Sequence, residues 1–147
     1  MAKKTGADRT ENMVAVLREW QVIERQAGYD MSEIMETSRN SLVRLIMEII
    51  RHDSVMHHRV QQFLIDSLTV EAPTVTREDL AEIWDRIEQH DRAEKKTIEL
   101  AKELLENAWT PIQKQLLDYL LKDEAKHDAM LTQLDELKKG MSRASGA

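Results

Sequence analysis

The chain has 147 residues, 41% of them hydrophobic and 33% charged, with four Gly and two Pro; that is enough for one domain with a core, in a composition that favours long amphipathic helices. A net charge of −6 gives nucleic-acid binding no electrostatic footing, and the lack of cysteine excludes disulfides, thiolate zinc sites and paired Cys-x-x-Cys knuckles. No apolar run reaches the length of a membrane span, and the N-terminal Met1-Ala2-Lys3-Lys4-Thr5 lacks an apolar signal core, so a cytoplasmic protein is expected, with neither nucleic acid nor membrane as partner.

Helical periodicity runs through nearly the whole chain. A first helix, roughly Glu11 to Thr37, places Met13, Leu17, Trp20, Ala27, Met31 and Ile34 on one stripe, with Gly28-Tyr29 marking a possible bend. Asn40 is an N-cap for a second helix with Leu42, Ile46, Ile49, Val60 and Leu64 on its stripe. Thr69-Val-Glu-Ala-Pro-Thr-Val75 reads as the linker. Thr76-Arg-Glu-Asp79 has the form of a capping box and opens a third helix carrying Leu80, Ile83, Ile87, Ile98, Ala101 and Leu105. Thr110-Pro111, an N-cap followed by Pro at the first helical position, opens the fourth, with Ile112, Leu116, Leu120, Met130, Leu134 and Leu137. The expectation is a single all-α domain over residues 1–139, a four-helix bundle, followed by a disordered tail over 140–147.

The two halves repeat at an offset of 70 residues: Asn40 matches Thr110, Glu24 matches Glu94, Asp53 matches Asp123, and His57 matches His127. This is a duplicated helical hairpin whose repeated positions include ionisable ones. Those positions interrupt the apolar stripes. Asp53 and His57 do so on the second helix, Asp123 or Glu124 and His127 on the fourth, Glu24 on the first, and Glu94 with Asp91 or His90 on the third. Counting from each N-cap, His57 and His127 lie 17 residues after it and Glu24 and Glu94 lie 16 before it. At a rise of about 1.5 Å per residue, each Glu–His pair shares one level of its hairpin. One polar residue on a stripe is commonly an edge residue reaching water. Four at one level would cost several kcal/mol each unless paired or bound to a metal, and carboxylates with imidazoles suit a divalent pair.

These residues resemble the ferritin-like superfamily of di-iron carboxylate proteins, which includes rubrerythrins and bacterioferritins, in a form lacking a rubredoxin module. The family pattern is a lone Glu from each of two helices and Glu-x-x-His from each of the other two. Glu124-Ala-Lys-His127 fits the second element, and Glu24 and Glu94 fit the lone glutamates. The second helix departs from it: Ser54 stands where a Glu is expected, in Asp53-Ser54-Val55-Met56-His57. The resemblance implies metal ligation by Glu24, His57, Glu94, Glu124 and His127, with Asp53 substituting for the missing Glu and His90 as a third imidazole. It implies two iron ions (or manganese or zinc), at unequal positions, reacting with O₂ or peroxide as a ferroxidase or peroxidase, with an external electron donor. His52 and His58 read as solvated, Asp123 as a hydrogen-bond partner of a ligand histidine from another helix, and Tyr119 as core. The alternatives are a metal-binding or metal-sensing bundle without turnover, and a metal-free helical interaction protein. A hemerythrin-type site needs His-x-x-x-His on one helix, which the chain lacks. The linker of about eight residues reaches roughly 25 Å, so a long crossover requires one flanking helix to be shorter than drawn; otherwise the order is up-down-up-down or hairpins exchange between chains. A homodimer or larger homo-oligomer is compatible with either.

Overall fold

The computed structural model describes residues 5–144, and the side chains of residues 5–141. All regular structure among them is helical: α1 Gly6–Thr37, α2 Ser41–Thr69, α3 Arg77–Ala81, α4 Trp84–Asn107 and α5 Pro111–Ala144. The chain divides into two compact units, Met1–Pro73 and Thr74–Ala147. In the first, α1 packs on α2; in the second, α4 packs on α5 and α3 also meets α5. The class is therefore all-α, with four long helices paired as two hairpins, the pairing from which four-helix bundles are built.

The repeat is carried into the backbone. The first hairpin turns over residues 38–40 and the second over 108–110, so helix ends and starts recur at the same offset of 70. Asn40 Oδ1 accepts from the backbone N–H groups of Leu42 at 3.0 Å and Val43 at 3.1 Å. Thr110 Oγ1 accepts from Gln113 N–H at 3.2 Å, and Gln113 Oε1 returns to the Thr110 N–H at 3.3 Å. Such caps satisfy donors that no helical carbonyl can reach and stabilise by about 0.5–2 kcal/mol each.

Three boundaries differ from the sequence expectation. The first helix begins at Gly6, well before Glu11, because Thr5 and Asp8 form a reciprocal capping box, with Asp8 Oδ2 accepting from the Thr5 N–H at 2.9 Å. The same Thr-x-x-Asp spacing at Thr76–Asp79 opens α3 rather than one long third helix. There the chain tightens, with Ile83 N–H bonding the Leu80 carbonyl three residues back at 3.2 Å, and α4 starts at Trp84. Trp84 is buried, its Nε1 donates to Glu88, and the Lys138 ammonium of α5 lies 3.9 Å from its ring centroid. Finally, α5 runs through Gly140 to Ala144, where the tail was expected; residues 145–147 of that tail lie outside the described residues. Gly28 causes no break, for α1 is continuous through it.

Each hairpin buries only its seam. In the first, Leu17, Gln21 and Glu24 face Ser54, Gln61 and Ile65. Ile65 is 1% exposed, a burial that contributes about 1.5–3 kcal/mol. In the second, Leu80, Trp84, Glu94 and Ala101 are buried. Leu17, Leu80 and Ala101 were expected in the core; Met13, Trp20, Ile34, Val60, Leu64, Ile112, Leu120, Met130 and Leu137 were too, yet they remain 40–55% exposed. Two helices share one seam, and residues a third of a turn off it find no second neighbour within the hairpin. The carboxylates Glu24 and Glu94, by contrast, sit in the seam itself.

Candidate metal centre

Glu94 projects from the middle of α4 towards α5 and is only 5% exposed. From α5, Glu124 and His127, one turn apart on the same face, meet it. One ligand atom from each of these three residues lies within 4.8 Å of the others. His127 Nδ1 is 3.5 Å from Glu94 Oε1 and 3.7 Å from Glu124 Oε2. His90, one turn before Glu94, places Nε2 at 2.8 Å from Glu94 Oε1. Asp123 Oδ2 lies 3.6 Å from His127 Nε2, beyond hydrogen-bond reach, and its Oδ1 accepts from Lys126 at 2.6 Å.

Thr97 belongs to this centre and sequence reading missed it. Its Oγ1 lies 2.7 Å from the Glu94 carbonyl oxygen and 3.2 Å from Glu124 Oε2. The available signal was its spacing, three residues after Glu94 on the same helix face.

The electrostatics follow from two carboxyl groups facing each other in a partly closed site. The hydrogen bond from Glu124 holds Glu94 below the usual carboxylate range, against the opposing effect of burial; the charges of His127 and His90 act in the same lowering direction. The same bond, then burial and the Glu94 charge, push Glu124 above that range. With both ionised, Glu94 Oε2 is buried with no hydrogen-bond donor. A proton on Glu124 or a cation supplies what is missing.

This gives stability a pH signature in metal-free protein. Glu94's contribution is present above the ordinary carboxylate value and is lost as pH falls through its depressed pKa. Glu124's is complete below the ordinary value and is lost as pH rises through its elevated one. In chelator, the melting temperature is therefore expected to decline as pH rises just above the usual carboxylate range, and Glu124→Gln should flatten that decline. Thermal denaturation of both proteins across this range is the check; an identical slope in the variant would remove Glu124 as its source.

The first hairpin repeats part of the centre. Glu24 is 8% exposed and its Oε1 is 3.1 Å from His57 Nδ1, the same pair of atoms that meet between Glu94 and His127. At the position of Glu124 stands Ser54, buried at 6% exposure. Asp53, expected to substitute, is exposed and joins no group of three potential ligands among the described residues. Of the seven anticipated ligands, the structure thus brings Glu94, Glu124, His127 and His90 together in one hairpin and Glu24 with His57 in the other. Gln21, a turn from Glu24, is engaged elsewhere: its amide donates to Gln62 Oε1 at 3.0 Å and to the His58 carbonyl. Asp91, a turn from Glu94, is paired with Lys95.

No family model, no curated protein and no solved structure matches the chain. Among the described residues, no helix is long and apolar enough to cross a membrane.

Proposed function

We propose that the protein is a ferritin-like metal protein that binds iron and reacts it with O₂ or peroxide. The observation that carries this is Glu94: a buried carboxylate whose Oε2 has no donor once Glu124 is ionised, facing that second carboxylate and an imidazole. A cation held by Glu94, Glu124 and His127 would satisfy that oxygen and displace the proton that otherwise separates the two acids. His90 adds a further nitrogen donor against Glu94. Nitrogen and oxygen donors of this kind suit iron, manganese or zinc; iron, when bound, supplies the one-electron redox chemistry that side chains lack. In the two-iron form of the reading, Glu24 and His57 hold the second ion, more weakly because Ser54 offers no carboxylate. A cysteine-free chain has no thiolate relay, so peroxide reduction would draw electrons from an external donor.

The test is to add Fe(II) anaerobically to purified protein, count ions per chain, and then follow O₂ uptake. Two ions of unequal affinity with rapid O₂ consumption support the full reading. One tight ion without O₂ consumption supports the neighbouring reading, a bundle that holds or senses metal without turnover. No stoichiometric binding of iron, manganese or zinc would refute both, and leave the buried acids as a structural device.

A further inference from the structure

The first hairpin carries an open cavity of about 410 Å³ between α1 and α2, reaching the seam residues Glu24 and Ser54. Arg25, Arg51 and Arg59 stand on its wall, with Ser32 and Ser54 beside them. Among the described residues no hydrogen bond or ion pair engages any of the three guanidinium groups, and Arg51 Nε is buried with no acceptor. The wall thus sets three arginines against one acid, opposite in sign to the chain's net charge of −6. The single acid on the wall, Glu24, is engaged with His57.

The internal repeat supplies the control. At the positions of Arg51 and Arg59 the second hairpin has Leu121 and Ala129, and at the position of Gly28 it has Ile98. Lys95, which matches Arg25, is tied to Asp91. A Cβ placed on Gly28 would meet nothing within 4 Å, so the open volume at that point belongs to the first hairpin. The half that lacks the second carboxylate is therefore the half that has gained a cationic cavity.

We propose that this cavity binds a small phosphate-bearing anion. Guanidinium forks match the oxygens of a phosphate two at a time, and a buried Nε without an acceptor costs free energy that such an oxygen recovers. The neighbouring hydroxyl of Ser54 is an additional donor, whereas that of Ser32 is spent on the Gly28 carbonyl at 2.9 Å. The site stands independently of any metal chemistry in the second hairpin.

Calorimetric titration of the full chain with inorganic phosphate and, separately, with glycerol phosphate tests it, against sodium chloride of equal ionic strength. Saturable binding at millimolar ligand, weakened roughly tenfold or more by Arg51→Leu and by Arg59→Ala, is the expected result. Preference for one probe tells free phosphate from a phosphomonoester. Arg59 is exposed, so Arg59→Ala remains decisive should Arg51→Leu disturb folding, which circular dichroism will report. Absence of binding to wild type, abolition by chloride, or equal affinity in Arg59→Ala would overturn the proposal.

Discussion

Glu94→Gln should lower iron affinity by at least about a hundredfold while leaving the metal-free fold within about 1 kcal/mol of wild type. The first figure follows from ligand chemistry: loss of an outer partner alone costs 10–100-fold, and Glu94 is the residue that His127 and His90 both touch and that faces Glu124. The second follows from the pairing in the metal-free protein. Glu94 there accepts a proton-mediated bond from Glu124, and a Gln amide can stand in by donating to an ionised Glu124, so one charge-assisted bond replaces another at small net cost. His127→Ala should give the same loss of iron with a fold equally intact, since His127 is 42% exposed. Ion counting with urea denaturation on each variant checks both halves. Unfolding of Glu94→Gln with unchanged iron binding by His127→Ala would mean that the buried acid serves packing rather than metal.

Much of this was legible in the residues, for reasons that can be named. Asn40, Thr76 and Thr110 announced helix starts because capping is local chemistry; Thr5–Asp8 carried the same Thr-x-x-Asp sign and marks the earlier start of α1. The interruption between α3 and α4 carried no Gly or Pro, and it arises where Trp84 packs under Lys138, more than fifty residues away in sequence. Burial was the least legible. Periodicity locates an apolar stripe but not which edge of it a neighbour covers, so Trp20 and Leu137 were expected inside and lie half exposed, whereas Glu24, Gln21 and Gln61 occupy the seam. Glu94 and His127 were legible because they repeat Glu24 and His57 at a fixed offset on the levels that helix geometry assigns, whereas Glu124, which has Ser54 at its counterpart, rested on its spacing to His127 alone. The arginine cavity was not legible, because exposed arginines on a helix ordinarily signify only a solvated face, and their unpaired state is a property of three dimensions.

The repeat also shows what separates the two hairpins, and a single substitution can test it. Ser54→Glu places a carboxylate where Glu124 stands in the second half, next to a buried Glu24 that already holds His57 Nδ1 at 3.1 Å. Without metal, a second acid in this seam should destabilise the protein by about 1–3 kcal/mol; Arg25, Arg51 and Arg59 around the adjoining cavity keep the cost from being larger. With iron or zinc, the first hairpin should bind its ion at least about tenfold more tightly, since Glu, Glu and His then replace Glu and His alone. Metal should accordingly raise the melting temperature of Ser54→Glu more than that of wild type, because an ion bound only by the folded state stabilises it through mass action. The same change should weaken phosphate binding, as a new anion enters the cavity's wall. Metal titration followed by thermal denaturation, with and without chelator, reads all of this from one variant. Unchanged metal affinity would show that Glu24 and His57 are an ion pair of the seam and nothing more, and would confine metal chemistry to the second hairpin.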